Sequence, residues 1–571
     1  MIEQEITPSL VVHNLKAGEE HFNNKNFSEA LSCFDQCLLY ELDSALLAHV
    51  YYKLGLCFKG LKNYGVAIEY FKKSSALVPN FEENYRMLGD IYSFDLPEKD
   101  YINAIFYYEK YADLKKDNQN LYRHLALIHS ESGYPEKSMH YSWEALRVDP
   151  GLSDTVENLF FYLPRIPGYG HEKMYQLGQK ALETYRNAHK IQLPKSFHHK
   201  NKADPHKKIN LAYISADFYQ LHPVMYFMEE ILAHHDHEKF NVTLYSNVEH
   251  PDATTERIEK YADYFHSVRK LSNTELEELI RKDEIDVLVD LSGYTSGNRL
   301  LALENKPAPV QVTYVGYPNT TGLNAFDYFM TTKYLSRSGE EGFFSEKFYY
   351  LDCPYRCYKT LDAYIPEVNN APVLENGYIT FSSFNNISKC NEELIAVWAK
   401  ILHAVPNSKL YICRYLVPEE DMKRRFAVYG ISADRIIVDK IYTLSKYHNV
   451  DILLDTFPYS GCTTTFNAII MGIPVVTLYG ETFASRESAN VNYHLGLKDL
   501  IAKDPEEYIE IAVKIAKDKD RISQYRKTLR DQLKSSVFCN YAKFTHSFER
   551  AYRDMWQAWC KGKVKNASQT R

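Results

Sequence analysis

The stretch that decides the fold of the carboxyl-terminal part of this chain is Asp455-Thr456-Phe457-Pro458-Tyr459-Ser460-Gly461-Cys462-Thr463-Thr464-Thr465. An apolar run at residues 450–454 precedes it and predicts a buried parallel strand that ends at Asp455. Pro458 and Gly461 then turn the chain, and three threonines open a helical segment. Because the first N–H groups of a helix have no partner inside it, such a joint suits a phosphate. The same residues also fit an ordinary strand–turn–helix connection in which Thr463 is the N-cap.

The composition is that of a globular protein with several domains. The chain has 571 residues, 45% hydrophobic and 25% charged, and its length predicts about three or four domains. A net charge of -7 gives no basic surface for nucleic acid. We find no secretory signal and no apolar run long enough to cross a membrane. The ten cysteines form no CxxC pair, which together with the other features predicts a cytoplasmic protein.

A repeat governs the first third of the chain. Leu54-Gly55 recurs as Leu88-Gly89 after 34 residues, the tetratricopeptide period, and the next unit is centred on Leu125-Ala126. The extra residues of that longer interval fit a turn at 95–100. Four helix pairs are therefore expected over residues 11–150, followed by further helix at 157–190. A plain helical bundle without a binding role is the alternative.

Such a solenoid cannot catalyse, but its concave face commonly binds an extended peptide or a partner protein. The chain has 47 tyrosines, which could line that face or fill the seams between helices. The seams are the preferred interpretation.

After a polar, basic linker at residues 194–205, the pattern changes to alternating strands and helices. Strands are predicted at 209–215, 240–246, 285–291, 310–314, 378–384, 410–413, 435–438, 450–454 and 474–478, with helices at 275–282, 391–404 and 464–471. Two doubly wound halves joined by a hinge near 362–372 imply a cleft between the carboxyl ends of their sheets. The predicted domains are 1–195, a helical repeat domain; 196–370, the first half; and 371–571, the nucleotide-sugar half with carboxyl-terminal helices.

Several segments resemble, in order, the O-GlcNAc transferase family, which includes plant Spindly and bacterial members. They begin with Ser215-Ala216-Asp217-Phe218 before His222-Pro223, Leu291-Ser292-Gly293-Tyr294-Thr295, Pro307-Ala308-Pro309-Val310-Gln311 and Gly316-Tyr317-Pro318-Asn319-Thr320-Thr321-Gly322. They continue with Phe384-Asn385-Asn386-Ile387-Ser388-Lys389, the opening stretch, and Gly480-Glu481-Thr482-Phe483-Ala484-Ser485-Arg486. The resemblance implies a tetratricopeptide solenoid followed by a GT-B fold, in which two Rossmann-like domains face a cleft.

The resemblance implies inverting transfer of N-acetylglucosamine from UDP-GlcNAc to serine or threonine of an acceptor protein, without a metal or other cofactor. The repeats would bind the acceptor, and bacterial relatives suggest flagellin. A GDP-fucose donor, or a scaffold with an inactive catalytic half, are the alternatives. The resemblance assigns the diphosphate to Lys389 and to the amides of Thr463, Thr464 and Thr465, with His222 as base or orienting group. It counts Gly461 and Cys462 among the other donor contacts. It places Asn386, Asn467 and Lys446 at the nucleotide, and Gly316, Tyr317 and Pro318 at the sugar.

Some positions depart from the family pattern. Cys462 replaces a histidine of animal members, Asn467 replaces an acidic residue, and the segment 440–451 is shorter, with Lys446 as the nearest replacement for its basic contacts. Lys389 could also be a solvated lysine, and His222 a structural histidine. The cluster His234, His235 and His237 fits a surface loop better than a metal site, since nothing completes a ligand set.

Overall fold

The computed structural model describes residues 2–192, 196–220, 222–360, 365–413 and 419–569, with side chains between residues 9 and 562. Pro194 of the predicted linker and residues 362–364 of the predicted hinge lie outside these ranges. The chain forms two compact units, Met1–Asp149 with Tyr415–Met422, and Pro150–Arg414 with Lys423–Arg571. None of the described helices is both long and apolar enough to span a membrane.

The first unit consists of four antiparallel helix pairs, as the repeat predicts. The helices are α1 (Ile2–Asn23), α2 (Phe27–Cys37), α3 (Ser44–Gly60), α4 (Tyr64–Leu77), α5 (Glu82–Asp90), α6 (Tyr101–Leu114), α7 (Gln119–Ser130) and α8 (Pro135–Val148). A π-helical segment, Ile91–Asp95, extends α5, so the extra residues of this repeat begin before the predicted turn at 95–100.

Glycines at equivalent positions let the helices of a pair approach closely. A Cβ atom added at Gly55 would lie 2.7 Å from the Phe71 ring, and one added at Gly89 would lie 2.6 Å from the Tyr108 ring. Tyrosines lie in the seams between paired helices, where Tyr108 packs on Gly89, Tyr85 stacks on Tyr107 and Tyr122 stacks on Tyr141. The pairs α1/α2, α3/α4 and α5/α6 therefore each pack a glycine of one helix against an aromatic ring of the other.

The second unit begins with two helices, α9 (Ser153–Tyr162) and α10 (His171–His189), and continues with two parallel sheets. The first sheet contains β1 (Ile209–Ser215), β2 (Phe240–Ser246), β3 (Tyr264–Ser267), β4 (Val287–Asp290), β5 (Val310–Thr313), β6 (Tyr328–Thr331) and β7 (Lys347–Tyr350). Its helices are α11 (Pro223–Ala233), α12 (Ala253–Glu259), α13 (Asn273–Lys282) and α14 (Leu300–Leu303).

The second sheet contains β8 (Thr380–Ser383), β9 (Lys409–Cys413), β10 (Ile436–Asp439), β11 (Ile452–Leu454), β12 (Val475–Leu478) and β13 (Ile501–Ala502). Its helices are α15 (Val373–Asn376), α16 (Glu392–Ala404), α17 (Glu419–Ala427), α18 (Thr463–Ile470), α19 (Glu487–His494), α20 (Pro505–Ala516), α21 (Lys519–Lys534) and α22 (Tyr541–Gln569). The strand orders are β3-β2-β1-β4-β5-β6-β7 and β10-β9-β8-β11-β12-β13.

Both sheets therefore reverse their winding next to their first strand, at β1/β4 and at β8/β11. Ligands of doubly wound sheets bind beyond the carboxyl ends of the strands at this switch point. The predicted order of helical repeats followed by two α/β halves is confirmed. The domain limits at residues 195 and 370 stay a prediction.

Candidate active site

A cavity of about 240 Å³ lies beyond the carboxyl ends of the strands at both switch points. The loops after β1, β4 and β5 form one wall, and those after β8 and β11 form the other. Seven of the predicted site residues line it: His222, Gly316, Asn386, Lys389, Cys462, Thr463 and Thr464. Residues that are far apart in the sequence are thus brought together as the two-halves interpretation requires.

The lining residues do not include the other five predicted site residues, which lie near this cavity or elsewhere in the described fold. Tyr317 is buried and its hydroxyl donates to the Phe160 carbonyl at 2.6 Å, and Pro318 is buried next to it. Asn467 is buried on α18, where its amide donates to the Tyr442 hydroxyl at 2.6 Å. Lys446 pairs with Asp439 at 2.5 Å, and Gly461 lies in the turn before α18. Their roles toward nucleotide and sugar stay predictions.

Lys389 ends a short 3-10 helix that follows β8. Its Nζ donates to the Ser460 carbonyl at 2.7 Å and lies 4.0 Å from the centroid of the Tyr459 ring. Loss of hydration, followed by the nearby Arg165 cation, lowers the Lys389 pKa to about 8. The ammonium group therefore stands beside the turn that leads into α18 and remains mostly protonated at pH 7.

Hydrogen bonds from neighbouring residues fix the turn before α18 and the first residues of this helix. Cys462 is the N-cap and makes no capping bond with its side chain, so Thr463 is the first helical residue and the expectation of Thr463 as N-cap is wrong. The Gly461 N–H donates to Asp455 Oδ1 at 2.7 Å, which fixes the turn. Thr464 Oγ1 donates to Asn385 at 2.8 Å, tying the helix to the β8 loop. Thr463 and Thr464, whose N–H groups have no acceptor within the helix, thus line the same cavity as Lys389.

His222 is the N-cap of α11, and its Nδ1 accepts from the Val224 N–H at 3.4 Å. Because that nitrogen acts as acceptor, the neutral ring has its hydrogen on Nε2, which lies 3.4 Å from Asp217 Oδ1. Burial lowers the His222 pKa to about 4. Burial, and after it the nearby Asp290, raises the Asp217 pKa to about 7. The pair is therefore a neutral imidazole beside a carboxyl group that titrates near neutrality.

An ion pair in the cavity wall was not predicted. Arg356 donates to Glu487 through Nε at 3.1 Å and through Nη2 at 2.7 Å, and both residues are buried. Arg356 follows β7 and Glu487 begins α19, 131 residues later. Neither residue belongs to a motif with local spacing, so only their contact in the fold identifies them.

Close packing explains why residue 316 is a glycine. A Cβ atom there would overlap the Leu291 carbonyl, and Val315 before it has a φ of +69°. This tight turn brings the β5 loop against the β4 loop at the cavity wall, a position that the sequence motif predicted without its cause.

The histidine cluster lies outside the cavity. His235 is buried, with Nδ1 3.0 Å from Glu549 Oε1 and Nε2 2.9 Å from the Tyr213 hydroxyl, so the surface-loop expectation is wrong for this residue. Across the described ranges no three His, Cys, Asp or Glu side chains group as metal ligands would.

The arrangement can hold a phosphorylated leaving group. One lysine and the start of a helix converge at one cavity, and a carboxyl–imidazole pair lines the same cavity. Such groups stabilise negative charge and accept a proton, respectively.

Comparison with known proteins agrees with this geometry. The chain matches Glycosyl transferase family 41 over residues 175–358 and 368–548, and a tetratricopeptide repeat over residues 48–80. It also resembles the solved structure of a mutant Thermobaculum terrenum O-GlcNAc transferase, with a TM-score of 0.71 and 28% identity, over 98% of this chain and 99% of that one. The predicted GT-B fold is thereby confirmed.

Curated plant proteins are similar as well. A Solanum lycopersicum protein named probable UDP-N-acetylglucosamine–peptide N-acetylglucosaminyltransferase SPINDLY is 33% identical over 73% of this chain and 46% of its own length. The Arabidopsis thaliana SPINDLY protein is 37% identical over 64% of this chain and 41% of its own length. The Arabidopsis thaliana SEC protein is 30% identical over 62% of this chain and 38% of its own length. The chain spans less than half the length of these relatives. Because the family model matches both α/β halves, the chain belongs to glycosyl transferase family 41.

Proposed function

We propose that this chain is a protein O-glycosyltransferase that transfers N-acetylglucosamine from UDP-GlcNAc to serine or threonine with inversion. The observation that carries the proposal is the convergence of Lys389 and the start of α18 in one cavity at two switch points. The names of the plant relatives and of the Thermobaculum structure support the donor and the protein acceptor.

In this reaction the acceptor hydroxyl oxygen forms a bond to the anomeric carbon as the bond to the diphosphate oxygen breaks. The electron pair of the broken bond stays on UDP, so negative charge grows at the diphosphate. Lys389 and the first N–H groups of α18 stabilise that charge, and because they are already in place they need little reorganisation. The family is expected to need no metal, because these groups supply the positive field.

The acceptor hydroxyl must also lose a proton. We assign that proton to the Asp217–His222 pair, in which the ionised Asp217 carboxylate accepts it and His222 Nε2–H orients the carboxylate or the sugar. Asp217 suits the role because its pKa of about 7 leaves a large ionised fraction at neutral pH.

The remaining predicted residues complete the donor site in this proposal. Gly316, Tyr317 and Pro318 form the sugar side, and Asn386, Cys462, Asn467 and Lys446 the nucleotide side. The helical repeats select the acceptor protein, with flagellin as the first candidate to test. A cytoplasmic location completes the proposal and is consistent with ten cysteines that are all free thiols.

Incubation of the purified chain with UDP-GlcNAc, GDP-fucose and other nucleotide sugars tests the proposal. Nucleotide release and the mass shift of proteins in a lysate, and of flagellin, are measured with and without a chelator. UDP release with an added mass of N-acetylhexosamine, unaffected by the chelator, is the expected result. Transfer from GDP-fucose alone would replace the donor assignment, and no transfer from any donor would favour the scaffold alternative.

A further inference from the structure

The buried pair Arg356–Glu487 occupies a place where an ion pair is costly. Arg356 is 7% exposed and Glu487 is 5% exposed. Burying two charges costs hydration that their attraction roughly repays, so a buried pair contributes little to stability compared with apolar side chains. A buried pair in the wall of a binding cavity therefore calls for a role other than stability.

The pair joins the two halves of the second unit across the cavity. Arg356 Nη1 donates to the Val315 carbonyl at 3.1 Å, on the β5 loop, while Nε and Nη2 bind Glu487 at the first residue of α19. Phe227 and Tyr355 pack on the guanidinium, with their ring centroids 4.7 and 5.0 Å from Cζ. The cation is thus fixed in position before any ligand arrives.

The guanidinium has capacity for a further acceptor. It carries five N–H groups, and Nη1 has two of them. In the described part of the chain the Val315 carbonyl is the one hydrogen-bond acceptor for Nη1. One N–H of Nη1 is therefore available to a ligand in the cavity that Arg356 lines.

Glu487 places a negative charge in the same wall as the start of α18. It interacts electrostatically with Lys389 and with Cys462, the N-cap of α18. An unpaired carboxylate there would repel a diphosphate, whereas Arg356 neutralises it through two N–H groups. The two charges of the pair thus act on a bound diphosphate with opposite sign.

We propose that Arg356 is a second cation, beside Lys389, that positions the diphosphate. Glu487 limits the attraction between Arg356 and the diphosphate. The pair thereby sets the affinity of the cavity for the diphosphate and leaves its affinity for the nucleoside unchanged. The role rests on the proposed function, since it assumes that the cavity takes a nucleoside diphosphate. A moderated cation serves turnover, because the diphosphate product must leave after each transfer.

Calorimetry on the full chain with UDP, uridine and inorganic diphosphate tests this role. Arg356→Met should lower the affinity for UDP and for inorganic diphosphate by about tenfold or more, because one charge-assisted hydrogen bond is lost. The affinity for uridine should change by no more than about twofold. Glu487→Gln should raise the affinity for both UDP and inorganic diphosphate. Arg186→Met, which breaks the pair of Arg186 Nε with Glu304 at 2.9 Å outside the cavity, should leave all three affinities unchanged.

If the role of the pair is purely structural, Arg356→Met and Glu487→Gln should both lower the melting temperature. Both variants should then lower the affinities for UDP and uridine by the same factor. That pattern, or an unchanged ratio of UDP to uridine affinity, overturns the role. If Arg356→Met does not fold, Glu487→Gln decides alone: tighter UDP binding supports the role and weaker binding refutes it. If the unaltered chain binds inorganic diphosphate but not UDP, the proposed function is contradicted. The role of the pair is then decided by the diphosphate affinities of the two variants.

Discussion

Lys389 is the residue whose removal should most affect the proposed transfer. Lys389→Ala should lower turnover at saturating donor by about 10²–10³, equal to about 2.7–4 kcal/mol of transition-state stabilisation, because one charged donor to the leaving group is lost. Its Nζ contacts the Ser460 carbonyl rather than a buried carboxylate, so the fold should persist. Steady-state kinetics and thermal melting check both expectations.

Lys446→Ala is the matched control, because Lys446 is also a predicted donor contact but pairs with Asp439 at 2.5 Å and does not line the cavity. We expect a much smaller loss of turnover for this variant. An equal loss for the two variants would contradict the diphosphate role of Lys389 and favour a general effect of removing a positive charge.

Two residues set the expected pH dependence of kcat/KM. Asp217 must be ionised to accept a proton, so activity should rise with pH through about 7, its raised pKa. Lys389 must be protonated to stabilise UDP, so activity should fall as pH rises through about 8, its lowered pKa. The acid limb should disappear in Asp217→Asn, and the alkaline limb in Lys389→Arg. A pH profile with unchanged limbs in both variants would refute these assignments.

At the scale of the element, the turn before α18 tolerates no side chain at Gly461. A Cβ atom there would lie 2.6 Å from Thr464 Oγ1 and 3.0 Å from Asp455 Oδ1. Gly461→Ala should therefore displace the start of α18 and weaken UDP binding, while the apolar core of the sheet keeps the chain folded. UDP titration with thermal melting measures both effects.

Gly65→Ala gives the comparison, because a Cβ atom at this position of α4 meets nothing within 4 Å. It should raise the free energy of unfolding of the helical unit by about 0.5–1 kcal/mol, the helix preference of alanine over glycine, without changing UDP binding. Unchanged UDP affinity in Gly461→Ala would show that the turn does not position the diphosphate.

The elements that the sequence predicts well are those with a strong local pattern. β1 and β2 are seven-residue runs rich in apolar and β-branched residues, and their predicted limits are those observed. β3, Tyr-Phe-His-Ser, lies at the sheet edge with half-exposed side chains, so it lacks the apolar run that identifies a strand. β6, β7 and β13 have at most four residues each and were likewise missed, because so short a run is not enough to establish a strand pattern.

The site divides in the same way. Lys389 and the turn at Gly461 lie in segments that resemble the family, and the resemblance implies that both contact the diphosphate. Arg356 and Glu487 meet only because the loop after β7 and the start of α19 reach one cavity, and a separation of 131 residues carries no local signal. Local chemistry is therefore predictable, while contacts between the halves require the fold.

At the scale of the whole molecule, α9 and α10 form part of the second unit rather than a detachable end of the repeats. The Tyr317 hydroxyl donates to the Phe160 carbonyl at 2.6 Å, and Gln179 donates to the Gly322 carbonyl at 2.9 Å. A fragment that begins at residue 196 would lose both contacts and expose the apolar surface that these helices cover. A fragment that begins at residue 150 keeps them.

We therefore expect the fragment 150–571 to fold and to bind UDP with nearly the affinity of the full chain, because all residues that line the cavity lie after residue 216. It should transfer sugar to an intact acceptor protein far more slowly than the full chain does, since the repeats that select the acceptor are missing. Its transfer to a short acceptor peptide should fall less. Calorimetry with UDP and transfer assays on both acceptors separate donor binding from acceptor selection, with fragment 196–571 expected to aggregate. If fragment 150–571 modifies the intact acceptor as fast as the full chain, the repeats do not select the acceptor and must serve another partner.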